Sequence, residues 1–466
     1  MSQFESNFLF ANDEVHAARI DAIDRLHAAT ALYTSEPVVD QLLARLRWPE
    51  GNGKLADTSA GDGQFLGKAL QKLLAAGRSD QELLELLEGW EIHPHACAQA
   101  RARLTEILVG AGRSRATAST LAARIVHNSD FLTQGPTSPR YDTIVGNPPF
   151  LRWTNVPEVL RDEYANHVPD YATGCLLHSF LDRCNRTLNA GGEMVLVSND
   201  RWLFNTGAAR LRAELGRRLG IQHVERLDPK SSFYRPKNRK AGTPPRITPI
   251  AVHLTDGGGR QLTSAAIYPD ADLASYEGLP LLGDLAEVRL APWLGPEGIF
   301  FFSMEEAHAK HLPLDSLVPV FDTDDTKDGI FRYPTRYAIR TDPKKEPCDA
   351  IMSHLKSRYG KMPAGARMSK LWMPPEAHWH WDLDQPSLFL SRIAQSPSPV
   401  RVPAGVLPMN HHLRIACRNR ELLEKIARAM SGELAAKWFA AHGCPLEGGF
   451  WSMSAPLLRK MPLQLD

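Results

Sequence analysis

The run Lys54-Leu55-Ala56-Asp57-Thr58-Ser59-Ala60-Gly61-Asp62-Gly63-Gln64-Phe65-Leu66 decides the fold of this chain. Residues 54–57 read as a short strand, residues 59–63 as a turn of small residues. Phe65, Leu66, Ala69, Leu70, Leu73 and Leu74 then mark one face of a helix. A strand that passes into a helix through such a turn lets a ligand approach the backbone closely. The turn lacks the G-x-G-x-x-G spacing of dinucleotide sites and the G-K-[ST] ending of triphosphate loops, which disfavours both ligands.

Working outward, Val38, Val39, Leu42, Leu43 and Leu46 recur at helical spacing just after Pro37, a residue suited to a first helical turn. Further strands end at Glu91 (GWEI), Asp130 (RIVHNSD) and Asn147 (YDTIVGN). A helix over 176–188 is expected to leave through Gly191-Gly192 into a strand over 193–198. Another helix, about 208–219, precedes strands around Val224 and over 250–254. The alternation predicts an α/β, Rossmann-like domain with a mostly parallel sheet over residues 1–255.

After Asp256-Gly257-Gly258-Gly259 the alternation fades, prolines become frequent, and Trp372, Trp379 and Trp381 appear. Residues 256–466 are therefore expected to form a second, mixed α+β domain, with helices near 420–430 and 432–441. The length of 466 residues is comfortable for two or three domains. No stretch approaches the roughly 20 apolar residues that span a bilayer, and the first residues lack a secretory layout, so a cytoplasmic protein is expected. The cysteines form no C-x-x-C pair, which leaves neither a zinc ribbon nor a disulfide framework to propose. No metal is expected: His378 and His380 could share a strand face, but a packing role is the reading taken for them. The acidic run at 322–328 reads as a solvated loop.

Asn147-Pro148-Pro149-Phe150 carries the chemistry. Consecutive prolines fix the backbone and remove two amide donors, leaving carbonyl oxygens free to accept. An asparagine oxygen and a proline carbonyl can each accept from one NH2 group. This suits methylation of an aromatic amine, whose lone pair must be drawn out of the ring, and Phe150 could stack on the same ring. Glu91-Ile92 and Asp130-Phe131 stand at successive strand ends, where Glu91 can accept from ribose hydroxyls and Asp130 from an adenine amino group. Together they describe a cleft for an adenosine-bearing cofactor at the carboxyl edge of a parallel sheet.

In this order the blocks resemble the γ-type amino-methyltransferases, the N6-adenine DNA methyltransferases of type II restriction–modification systems. Residues 31–37 are similar to the block that opens this class: Tyr33 and Thr34 match, while Ser35-Glu36 replaces the usual pair of prolines. Residues 57–63 resemble the family's D-P-[AS]-C-G-x-G, with Thr58 and Ala60 departing from it but staying small. Residues 89–94 resemble G-x-E-I-D-P, with His93 in place of the acid. Ser232-Phe233-Tyr234 stands where the family places a base-stacking aromatic.

The resemblance implies S-adenosylmethionine as cofactor, held by Tyr33, Thr34, Asp57, Ser59, Ala60, Gly61, Gly63, Glu91, Ile92, Asp130, Phe131 and Asn147. It implies a catalytic motif of Asn147, Pro148, Pro149 and Phe150, with Asn147 and the Pro148 carbonyl on the target amine and Phe150 and Phe233 stacking on a flipped adenine. Residues 256–466 would then read the target, and double-stranded DNA would be the partner, with a monomeric enzyme and a restriction endonuclease encoded separately. Lys237, Arg239 and Lys240, in a basic segment over 235–246 free of acidic residues, would contact phosphates. Methylation of cytosine N4, of RNA or of protein glutamine stays open, as does a DNA-binding subunit with a decayed cofactor site.

Overall fold

The computed structural model describes residues 3–50, 53–234, 248–269, 274–327, 330–363, 370–446 and 449–465. Lys237, Arg239 and Lys240 lie outside the described residues. The chain divides into two units, Met1–Pro269 and Asp270–Asp466.

The first unit opens with α1 (Gln3–Thr30), β1 (Tyr33–Thr34) and α2 (Glu36–Leu43). The strand–helix alternation follows as β2 (Leu55–Asp57), α3 (Gln64–Ala75), α4 (Asp80–Leu86), β3 (Leu87–Glu91), α5 (Pro94–Gly110), α6 (Arg115–Ile125) and β4 (Val126–Asn128). It continues through α7 (Phe131–Gln134), β5 (Tyr141–Gly146), α8 (Glu158–Tyr164), α9 (Leu176–Thr187) and β6 (Leu188–Asn199). The unit closes with α10 (Arg201–Phe204), α11 (Ala209–Leu215), β7 (Leu219–Arg226), β8 (Phe233–Tyr234), β9 (Pro249–Asp256) and β10 (Arg260–Gln261).

The main sheet has the order β10-β7-β9-β6-β5-β2-β3-β4. Strands β4, β3, β2, β5 and β6 run parallel, and β9, β7 and β10 extend the sheet antiparallel. Alternate side chains of a strand face opposite sides, and here both sides are buried. Met194 and Leu196 join Ile250, Val252 and Leu254 in one layer with α1, α8, α9 and α11. Val195, Val197 and Ala251 join the other layer with α2, α3, α5 and α6. A sheet covered by helices on both faces is the α/β arrangement expected from the alternation.

Local chemistry sets the helix starts. Ser79 and Glu82 form a reciprocal capping box on α4, and the His93 imidazole accepts from the Ala96 N–H to open α5, with Pro94 in its first turn.

Two expectations about boundaries differ from the structure. Helix α9 ends at Thr187, and the Gly191-Gly192 pair lies inside β6, where the pairing with β5 slips between Tyr141 and Thr143. The pair relieves a strand irregularity rather than ending a helix. The glycines at 257–259 turn the chain back so that β10 pairs with β7, and the Ile267 N–H reaches the Leu203 carbonyl at 2.8 Å. The first unit thus runs on to Pro269, beyond the break expected at 255/256.

In the second unit the strands are short and divided among small sheets. One has the order Glu287–Leu290, Leu413–Ala416, Ser387–Leu390, Val400–Val402; another runs Phe301–Ser303, Arg336–Ile339, Leu317–Phe321, Leu407–Pro408. Helices Arg420–Met430 and Glu433–His442 stand close to where the sequence placed them. His378 is buried and His380 exposed in a turn, not on a strand. The acidic run is not simply solvated, because Asp322 is buried and held by neighbours.

Candidate active site

The carboxyl ends of β2, β3, β4 and β5 converge on a cleft. Its walls come from β1, the turn after β2, the residues following β3 and β4, the Asn147 loop, α8, α9 and the last turns of α1. Close approach of β5 to β2 depends on Gly146, which has φ +142°; a Cβ there would lie 2.6 Å from the Asp57 Oδ1. Gly63, at φ +83° before α3, lets α3 meet α5: a Cβ would lie 2.9 Å from the Ala100 Cα.

The acids are held by backbone donors. Asp57 Oδ1 accepts from the Ser59 N–H at 3.1 Å. Glu91 accepts from the Gly61 N–H through one oxygen and the His93 N–H through the other, both at 2.8 Å. Asp130 Oδ1 accepts from the Leu132 N–H at 2.9 Å, capping α7, and the Tyr164 hydroxyl beside the carboxylate favours its charge. The Asn147 Nδ2 donates to the Leu32 carbonyl at 2.7 Å, which fixes the amide and leaves a buried Oδ1 without a partner among the described residues. Thr34 Oγ1 and Ser59 Oγ are buried and unpartnered too.

Burial pushes the Asp57 carboxyl up to about 8; the Ser59 N–H opposes this, and Glu91 and Asp62 nearby add to it. Burial raises Glu91 to about 7 against its two backbone bonds, with Asp130 and Asp62 contributing. Asp130 is raised as well, chiefly by burial. Buried acids short of donors, beside orphaned acceptors, fit a ligand that brings hydrogen-bond donors and positive charge. A cationic adenosine-bearing cofactor has both.

Of the residues singled out in the sequence, Tyr33, Thr34, Asp57, Ser59, Ala60, Gly61, Glu91, Ile92, Asp130, Phe131, Asn147 and Pro149 line this cleft. Gly63, Pro148, Phe150 and Phe233 are not among its lining residues. Phe150 is half-buried against the layer of α1, α8 and α9. Phe233 is half-buried against the layer of α2 and α3, and pairs with Thr34 in the two-stranded sheet of β1 and β8. Sequence reasoning missed Asp62, Trp90, Tyr164 and the α1 residues Leu26, His27 and Thr30, all of which line the cleft. Ala22, Ile23 and Leu26, at helical spacing, mark a buried face of α1.

Residues 102–229 match the family model described as Eco57I restriction-modification methylase. The chain is 29% identical over 216 residues to Type II methyltransferase M.PaeR7I of Pseudomonas aeruginosa, covering 44% of this chain and 38% of that protein. It is 28% identical over 243 residues to Type II methyltransferase M.XhoI of Xanthomonas vasicola, covering 47% and 44%. The chain thus spans less than half the length of these curated relatives. Among solved structures, the type IIL restriction-modification enzyme MmeI in complex with DNA matches with a TM-score of 0.56 and 14% identity, over 98% of this chain and 67% of that one. That likeness is one of fold. Over part of its length, then, this chain is similar to type II restriction–modification methylases.

Proposed function

We propose that this protein transfers a methyl group from S-adenosylmethionine to the N6 amino group of adenine in double-stranded DNA, as the modification activity of a restriction–modification system. Residues 270–466 would read the target, and a restriction endonuclease encoded separately would be the functional companion of a monomeric enzyme. The observation that carries the reading is the Asn147 amide, oriented by Leu32 so that a buried oxygen without a partner is left in a cleft walled by three buried acids.

The cofactor supplies a methyl group made electrophilic by the adjoining sulfonium sulfur. Each Glu91 oxygen keeps a lone pair beyond its backbone bond, which suits two adjacent ribose hydroxyls. Asp130 would accept from the adenine amino group, and Phe131 and Ile92 would supply apolar wall beside it. Positive charge in the cleft favours the ionised acids that burial disfavours. At the target, Asn147 Oδ1 and the Pro148 carbonyl accept the two amine hydrogens and draw the nitrogen towards a tetrahedral, more nucleophilic state. The contribution is one of position and hydrogen bonding, with no covalent enzyme intermediate. A paired adenine must first leave the duplex, at a cost of a few kcal/mol; stacking on Phe150 would return about 1–3 kcal/mol.

The test is methyl transfer from labelled S-adenosylmethionine to duplexes in which adenine or cytosine carries the only unblocked amine at each position. Label on adenine N6 is expected. Label confined to cytosine N4, to RNA or to protein would overturn the assignment of substrate.

A further inference from the structure

Helix α1 ends on the cleft, and its His27 ring stacks on His93, with centroids 3.8 Å apart and planes 10° from parallel. Both residues line the cleft. His93 is locked on every side. Its backbone N–H donates to Glu91, and its Nδ1 accepts from the Ala96 N–H at 3.2 Å. An Nδ1 that accepts leaves the ring proton on Nε2, and Nε2 lies 3.2 Å from Asp24 Oδ1 on α1. A second tie, Arg19 to Glu163 at 2.7 Å, fastens α1 to α8, whose Tyr164 also lines the cleft. The acid assigned to the ribose is thus joined through one residue to a fixed imidazole, and that imidazole sets the plane of a second one brought in by α1.

We propose that His27 is a further binding residue for the nucleoside half of the cofactor, acting on the ribose side beside Glu91, and that His93 and Asp24 position it. The inference rests on the cofactor reading above. A fixed aromatic surface next to a carboxylate matches a ribose, which offers hydroxyl donors at its edge and C–H groups on its faces. Placing this surface on α1 makes the cleft complete only when the helix is docked.

The experiment is calorimetric titration of the whole, unliganded protein with S-adenosylhomocysteine and with adenosine. His27→Ala is expected to weaken both by about tenfold, because the contact is with the half they share. His93→Asn keeps a good helix cap and removes the stacked ring together with its tie to Asp24. It should weaken both ligands by a similar factor, and the double variant should be no weaker than either single one. Unchanged affinity in His27→Ala, or loss for S-adenosylhomocysteine but not adenosine, would overturn the proposal while the cofactor reading stands. Failure of the unaltered protein to bind S-adenosylhomocysteine would remove both. Circular dichroism of His27→Ala, expected to match the unaltered protein, separates loss of the contact from loss of α1.

Discussion

Two regions of the molecule bury carboxylates, and they treat them in opposite ways. In the second unit, burial works against the Asp322 charge, but His412 at 3.1 Å, the Thr323 N–H at 2.7 Å and the Asn410 amide outweigh it and hold the group down at about 2. In the first unit, Asp57 has a single backbone donor and two acidic neighbours, and it rises to about 8. Strand β3 repeats the contrast within a few residues. Burial would raise Glu88, yet Lys54 and Arg140 keep it below the usual carboxylate range, while Glu91 rises to about 7. Burial alone therefore does not mark a site. The partners do: an acid supplied with cations and donors is part of the scaffold, and one left short of them is completed by a ligand.

The largest effect that can test this contrast is expected at Asn147. Its Oδ1 is the neutral counterpart of the unsatisfied acids, and Asn147→Ala removes it without touching Asp57, Glu91 or Asp130. Methyl transfer should fall by at least about 100-fold, while S-adenosylhomocysteine should still bind. Turnover close to that of the unaltered protein would remove the proposed role of the amide.

A smaller effect, on stability rather than turnover, is expected at Asp322. Replacing it with Asn takes the charge from His412 and leaves donors without their acceptor, at a cost of about 1–3 kcal/mol. The sign with pH follows from its lowered value. Unfolded, the group titrates near 3.9, so its contribution is present above that pH and is lost as the pH falls towards about 2. Urea denaturation at pH 7 and pH 3 should show the gap between Asp322→Asn and the unaltered protein closing at the lower pH. A gap equally wide at both would mean the charge is not what stabilises this corner.

The same division explains what the sequence made legible. Periodicity exposed the alternation of the first unit because central strands such as β2, β3 and β5 are buried on both sides and helices such as α2 and α3 on one. The strand ends followed, since a small-residue turn after Asp57 and a proline pair after Asn147 punctuate the chain. The partners of the acids were not legible. His93 was visible only as a departure from the motif, and Asp24 and His27 belong to a helix whose apolar residues keep to no single face, Val15 and Ile20 being exposed. Tyr164 reaches the cleft from α8 through tertiary folding alone. In the second unit no single periodicity dominates, because strands of two to five residues are shared among several sheets. Asp322 looked like one of a solvated run because His412 and Asn410, which define it, lie far along the chain.

The smallest expected effect is also the sharpest, because it applies the same chemical change to the other kind of acid. Asp57→Asn imitates the protonated carboxyl that burial already favours, and its oxygen can still accept from the Ser59 N–H. Because the folded value is raised, the contribution of Asp57 to stability is complete below its unfolded value near 3.9. It is lost as the pH rises through about 8. The unliganded variant should therefore be at least as stable as the unaltered protein at pH 5, and the difference in favour of Asn should widen between pH 5 and pH 9. Cofactor affinity should move the other way, weaker in the variant at every pH, since a cationic ligand selects the ionised acid. Denaturation of the free protein at pH 5, 7 and 9 reads the first effect and calorimetry the second. If Asp57→Asn costs the free protein as much as Asp322→Asn does, Asp57 is scaffold, and the physical distinction between the two regions fails.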